Sequence, residues 1–276
     1  MNTFQKVIKY VAIGFAILLT IGILSGIIGA ISGVVSIFSV EEVNTIDYSM
    51  DFSDVEKLEI NHKIGKLNVK PGNGFRVEAS NVSDRFRAEV VRGTLIVDEP
   101  DFMRRFLWFD FGTSREKAVI TVYVPEDFHA KRIEIDSGAG NVNLDNLSTD
   151  YLKINAGVGE VYGNKLTAMR VDADGGIGDM KLIDVNFTDV DLNSGVGSIK
   201  LDGMIFGKSD IDCGVGSVNI QLNGSRDDYA LKISAGLGSV RVNGNKVSGE
   251  HEDGYRADNT ISIDGGIGDV DITFRH

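Results

Sequence analysis

Residues 154–163 read INAGVGEVYG, two glycines flanking one valine among small and apolar neighbours. The same shape returns as LNSGVGSIKL at 192–201, IDCGVGSVNI at 211–220 and ISAGLGSVRV at 233–242. With the second glycine of each GxG as reference, the series runs Gly140, Gly159, Gly178, Gly197, Gly216, Gly238 and Gly268. The first four intervals are 19 residues each, and the last two stretch to 22 and 30. A spacing held four times is an internal repeat. The longer intervals carry inserts around GSRDDY and KVSGEHEDGYRAD.

Hydrophobic alternation surrounds each reference glycine. Leu152, Ile154, Ala156 and Val158 occupy every second position before Gly159, and Val161 and Gly163 follow it with the phase slipped by one. The sets Val190–Leu192–Ser194–Val196, Leu231–Ile233–Ala235–Leu237 and Ile261–Ile263–Gly265–Ile267 behave alike, and all are expected to face inward. Period two is the signature of a strand with one buried face. Glycine accepts a positive φ, and a bend there re-aims the side chains that follow. Each repeat therefore reads as a strand, a glycine corner and a second strand, with a polar return loop. One such unit cannot bury its apolar face, but stacked units can. At roughly 4.8 Å per coil, seven coils make a column about 34 Å long. The fold class is all-β, a β-solenoid of about 19-residue coils with glycine corners, preceded by one transmembrane helix.

Cys213 is the only cysteine, so no intramolecular disulfide can form. Its counterparts three before each reference glycine are Ser137, Ala156, Gly175, Ser194, Ala235 and Gly265, all small. The core must be narrow at that level, and cysteine serves there as a small apolar residue. An eighth, divergent copy is LEINHKIGKLNV at 58–69, with Gly65 as reference and His62 at the small position. It reads as an end coil. FRVEAS, RAEVVRGTLIVDE and AVITVYVPED read as strands between it and the regular repeats, the middle pair turning at Gly93. Residues 75–125 are expected to cap the stack or form an inserted hairpin, since bare ends invite edge-to-edge association.

From Tyr10 to Val40 no residue is charged. About twenty apolar residues span a bilayer core, and a signal-peptide core is only about 7 to 15 long. The run reads as an uncleaved anchor, with cleavage near Ala30 or Gly33 as the alternative. Lys6 and Lys9 precede it, and Glu41, Glu42 and Asp47 follow. The positive-inside rule puts the N-terminus in the cytoplasm and residues 41–276 outside the membrane. Gly22, Gly26, Gly29 and Gly33 form one small-residue stripe that permits helix–helix approach and a homo-oligomer. The expected organisation is a cytoplasmic tail at 1–9, a membrane helix at 10–40, a linker at 41–56, a divergent first coil with capping strands at 57–130, and regular coils at 131–276.

The chain of 276 residues carries a net charge of −12, and beyond residue 40 its 26 basic residues face 40 acidic ones. Such a surface does not select nucleic acid, whose phosphates require Lys and Arg. The four histidines, His62, His129, His251 and His276, are scattered without metal-ligand spacing. The GxG units follow strands but open no helix, so they are not phosphate loops. GGIGD at 175–179 and 265–269 departs from the calcium nonapeptide in the position of its Asp and in its period. No catalytic residue, cofactor or firm metal site is expected.

Two features stand above the scaffold. Asp172, Asp191 and Asp210 lie six before successive reference glycines and would stack as a carboxylate ladder, either a soluble edge or a surface that meets cations. The segment FMRRFLWFDF packs Phe102, Phe106, Leu107, Trp108, Phe109 and Phe111 beside Arg104 and Arg105. Aromatics with arginine are enriched at binding hot spots and membrane interfaces, and the alternative is a cap over the end of the core.

The run ITVYVPEDFHAKRIEIDSGAGNVNLDNLSTDYLKINAGVGEVYG resembles the putative-adhesin β-strand-repeat family of bacterial cell-envelope proteins, over roughly residues 50 to 276. The resemblance implies a β-solenoid, often on a membrane anchor, in proteins some of which serve envelope stress or sensing. It offers no catalytic residues. The expected function is therefore a non-catalytic, membrane-anchored binding, sensing or scaffold component. Its partner would be an envelope protein, a wall polymer or a cationic peptide. A self-assembling polymer and a polysaccharide-acting enzyme are the alternatives.

Overall fold

A computed structural model describes residues 45–100, 118–254 and 257–275 of the chain. The chain divides into two units, Met1–Val43 and Asn44–His276. The first unit lies outside the described residues, and with it the expected tail, membrane helix and glycine stripe. Among the described residues no helix is long and apolar enough to cross a membrane.

Alternation in the sequence becomes a parallel stack. After β1 (Thr45–Phe52), β2 (Lys57–Gly72), β3 (Phe75–Ser83), β4 (Arg87–Val91), β5 (Thr94–Asp98), β6 (Val119–Pro125) and β7 (His129–Ala130) come four long ribbons: β8 (Arg132–Val158), β9 (Val161–Ile177), β10 (Met180–Val196) and β11 (Ile199–Val215). β2 pairs with β8, β8 with β9, β9 with β10 and β10 with β11, all parallel. Equivalent residues stack: Val161 on Val142, Met180 on Val161, Ile199 on Met180. Each ribbon bends round the column, so both its edges find backbone partners in the coils on either side.

The coil has three sides. In β9 the buried positions are Val161 and Gly163, then Leu166 and Ala168, then Val171 and Ala173. The phase slips between each pair, and a slip marks a corner. Lys165 and Asp184 hold φ of +53° and +55° at the second corner, and Asp189 holds +49° at the third. The segment expected to be a polar return loop is thus a third wall. It contributes Leu166, Val185, Ile205 and the fully buried Phe187. Its alternation spans only two inward positions, too short to register as a strand in the sequence. Full burial of each such side chain stabilises the fold by roughly 1.5–3 kcal/mol relative to exposure.

Coil order in space departs from order in sequence. β12 (Val218–Asn223) completes the Gly216 coil. β13 (Tyr229–Leu237) and β14 (Val240–Val242) form the Gly238 coil, and β15 (Asn245–Val247) and β16 (Glu250–Asp253) follow it. β17 (Asn259–Ile267) and β18 (Val270–Arg275) then return and slot between the two. β11 and β12 pair with β17 and β18, which pair in turn with β13 and β14. The last coil of the sequence is the penultimate coil of the stack. β15 and β16 lie antiparallel on β14 and β13 and close that end.

At the other end, β3, the β4–β5 hairpin through Gly93, and β6 form where alternation predicts strands. β5 and β6 run parallel to β2 and make a partial coil beyond it. β1 lies antiparallel on β3, and β3 on β6. β1 occupies residues expected to be linker. The chain leaves the partial coil at Pro100 and returns at Ala118, whose carbonyl accepts from the Lys66 N–H at 2.9 Å. The described residue Ala118 therefore lies at the level of the glycine corners.

Candidate functional site

The glycine corners determine the surface they expose. At Gly178, φ is +144°, and a Cβ there would run into the Gly159 carbonyl oxygen of the preceding coil. Two residues before the reference glycine a Cβ is also obstructed: at Gly195, ahead of Gly197, it would lie 2.7 Å from the Gly176 carbonyl oxygen. Coils stack at this corner with backbone against backbone. The Gly178 N–H donates to the Val196 carbonyl at 2.8 Å, and the Gly197 N–H to that of Val215 at 2.9 Å.

Between the two glycines stands one aliphatic side chain, and it points to solvent. Val158, Ile177, Val196, Val215, Ile267 and Leu237 expose between 44% and 69% of their surface. This corrects the expectation that Val158, Val196, Leu237 and Ile267 line the core. Alternation gives them the inward phase, but the core ends two residues earlier. There Ser194 and Cys213 are 6% and 2% exposed in the small-residue column. The smallness of that column was the available signal, since a core that has narrowed to serine and glycine has no room for a larger side chain beyond. The six aliphatics stack in register, Val158 on Ile177, Ile177 on Val196, Val196 on Val215, Val215 on Ile267 and Ile267 on Leu237. Together they form an exposed apolar stripe along the stack.

Polar rows border the stripe. On one side, four before the reference glycine, run Asp136, Asn155, Asp174, Asn193, Asp212, Ser234 and Asp264. The amides bridge the carboxylates: Asn193 Nδ2 donates to Asp174 at 3.0 Å, and Asn155 Nδ2 donates to Asp136. Between this row and the stripe, the bare backbone of Gly138, Gly157 and Gly176 floors an open depression of about 470 Å3, which Lys63 of the end coil also lines. On the other side, Asn141, Glu160, Asp179, Ser198, Ser217, Ser239 and Asp269 follow the reference glycines. The Asp179 carboxylate accepts from the Ser198 N–H at 2.8 Å, and Asp269 from the Ser239 N–H at 2.8 Å. Those bonds, to the Ser239 backbone and hydroxyl, hold the Asp269 carboxyl below its ordinary range.

The expected carboxylate ladder is formed, with Asp172 beside Asp191 and Asp191 beside Asp210. Each carboxylate has its own partner. Tyr151 donates to Asp172 at 3.0 Å, Asn193 to Asp191 at 3.1 Å, and Lys208 pairs with Asp210 at 2.9 Å. Charge is densest next to it, at Asp212. Burial first, and then Asp264, Asp191 and Asp210, push its carboxyl above the usual range. Among the described residues no three carboxylates, imidazoles or thiols converge on a metal position.

Cys213 is buried, its Sγ 3.4 Å from the Gly197 carbonyl, and burial pushes its thiol pKa up. A thiol so placed is a packing element and not a nucleophile. His62 is fully buried in the same column of the end coil, with Nδ1 3.0 Å from Ser137 Oγ and Nε2 without a partner among the described residues. Burial lowers its pKa to about 4. Buried Glu99 accepts from the Lys63 N–H at 2.7 Å and the Ile64 N–H at 3.3 Å. It stands where the next coil's backbone would be and closes the end corner. Exposed His129 bridges Ser148 and Asp150, each at 2.8 Å. Phe102, Arg104, Arg105, Phe106, Leu107, Trp108, Phe109 and Phe111 lie outside the described residues, as do Gly22, Gly26, Gly29 and Gly33.

The chain belongs to the Toastrack DUF4097 family, whose model matches residues 55–260. Among solved structures it is similar to a putative cell adhesion protein from Clostridium sporogenes ATCC 15579, at 18% identity and a TM-score of 0.40, over 84% of this chain and 100% of that one. It is similar to a putative adhesin from Bacteroides fragilis NCTC 9343, at 15% identity and a TM-score of 0.40, over 83% and 97% of the two chains. It is also similar to a putative lipid binding protein from Parabacteroides distasonis ATCC 8503, at 12% identity and a TM-score of 0.36, over 83% and 96%. No curated protein shows a significant match.

Proposed function

We propose that this member of the Toastrack DUF4097 family is a non-catalytic binding scaffold of the bacterial envelope, held by its N-terminal segment in the cytoplasmic membrane and displayed on the outer side. The observation that carries the binding reading is the surface pattern. Outward side chains run as polar rows along the stack, and the carboxylates of Asp136, Asp174, Asp179 and Asp269 within them are engaged by neighbouring amides and N–H groups. Catalysis needs unlike groups converging on one reacting atom, whereas a repeating row suits an extended partner. The partner is an envelope protein, a wall polymer or a cationic peptide. The uncharged run 10–40, with Lys6 and Lys9 before it and acidic residues after it, supports the anchor and its orientation.

Cysteine accessibility tests the location. Native Cys213 is buried, so a Met169→Cys variant, at a side chain 63% exposed, supplies the reporter. Labelling of intact cells by a membrane-impermeant maleimide is the expected result. Labelling only after lysis would reverse the orientation, and recovery of the chain in the soluble fraction would remove the anchor.

A further inference from the structure

We propose that the apolar stripe at the glycine corners is a docking site for a basic amphipathic helix of another polypeptide. The inference rests on the reading of this domain as a binding module and names its site and partner chemistry.

Six aliphatic side chains in register on a charged protein form a continuous apolar surface, and such surfaces mark interaction sites. The corner imposes glycine before and after each aliphatic, but the stacking does not require the aliphatic itself. Its side chain lies in solvent, where serine or lysine would stack as well. The bordering rows then specify the occupant. Across the coils from Gly140 to Gly268, neither the row four before the reference glycine nor the row just after it contains a basic residue. The stripe is an apolar track between a row of Asp and Asn interrupted by Ser234 and a row in which Glu160, Asp179 and Asp269 are interspersed with Asn141, Ser198, Ser217 and Ser239. A second copy, stripe against stripe, would set carboxylates against carboxylates, so the surface is not complementary to itself. An anionic lipid surface meets the same repulsion. A ridge of apolar side chains flanked by Lys or Arg matches it on both counts.

The repeat length favours a helix. Coils are about 4.8 Å apart and helical turns about 5.4 Å, so a helix laid along the stripe drifts by about 0.6 Å per coil. It remains within half a coil spacing, about 2.4 Å, over four coils. An extended strand presents same-face side chains about 6.8 Å apart and loses register after one or two. The bare glycine floor beside the stripe leaves room for a flanking basic side chain to reach Asp174.

The test uses the full chain reconstituted in zwitterionic nanodiscs, with empty nanodiscs as background. The probes are a fluorescent four-turn peptide of leucine and lysine and its leucine–glutamate counterpart. The leucine–lysine peptide is expected to bind at least ten-fold more tightly than the counterpart, with affinity falling as salt rises. The triple variant Ile177→Ser, Val196→Ser, Val215→Ser should lose at least ten-fold. The triple variant Asp174→Asn, Asp212→Asn, Asp264→Asn should lose at least three-fold and flatten the salt dependence. Asn already occupies this row at Asn155 and Asn193, so the second variant should keep the fold if the first does not. Equal affinity for the two peptides, or undiminished binding by the Asn variant, overturns the proposal. So does a photo-reactive residue at Val196 that links to a second copy or to residues 101–117 of its own chain instead of the peptide. Labelling of the Met169→Cys variant reports on location and the titration on the stripe, so either reading can fail without the other.

Discussion

Cys213 stacks on Gly265, a residue of the C-terminal coil, and not on Ala235 of the coil that follows it in sequence. Ala235 stacks on the other side of Gly265. The C-terminal coil is therefore an internal layer, bonded on both faces. Removing residues 257–276 should expose Cys213 and uncouple the Gly238 coil, not trim the end of the column. Thiol reactivity and hydrogen exchange would show it, with lost protection across 229–253 alongside a newly reactive Cys213. Protection retained across 229–253 would refute the interleaved order.

Gly197→Ala should destabilise the domain by about 2 kcal/mol or more, because the positive φ and the obstructed Cβ position act together. Gly74→Ala is the control, since a Cβ there meets nothing within 4 Å. Denaturant unfolding of the two variants should differ in midpoint, with the control near the parent protein.

Phe187→Ala tests the third wall. The ring is fully buried, and truncation should cost about 3–5 kcal/mol. Met169→Ala, in the equivalent stretch of the preceding coil but 63% exposed, should cost under about 0.5 kcal/mol. Similar midpoints for the two would mean that the return segment is a loop after all.

His62 makes stability depend on pH. Its folded-state pKa is lowered from 6.5 to about 4, so the unfolded chain binds the proton first. The contribution is whole above pH 6.5 and is lost as pH falls towards 4. A shift of this size corresponds to about 3 kcal/mol across the window. His62→Ser, matching Ser137 and Ser194 in the same column, should lower stability at neutral pH and flatten its fall between pH 6.5 and 5. An unchanged slope in urea midpoints would assign the pH dependence to other groups.

Glu99→Ala should leave the Lys63 and Ile64 N–H groups without their carboxylate acceptor at the end corner, at a cost of about 1–3 kcal/mol. Glu99→Gln keeps one acceptor oxygen and should retain more of the stability. Faster hydrogen exchange at 63 and 64 in the Ala variant would locate the loss.

Sequence alone determined the repeat, the strand on each side of the corner, the glycine at that corner and the small-residue column that makes the core narrow. These follow from local rules: period two reads a half-buried strand, and a recurring GxG reads a bend that no Cβ permits. The carboxylate ladder followed from the same periodicity. Three things were decided by tertiary structure. The return segment became a wall because Phe187 and its counterparts meet an interior that exists only after the coil closes. The C-terminal coil moved inside the stack because parallel edges pair with any coil of matching register, and the long final interval lets the chain travel back. The stripe from Val158 to Leu237 stayed outside because alternation assigns a face but cannot say where the core beneath that face ends.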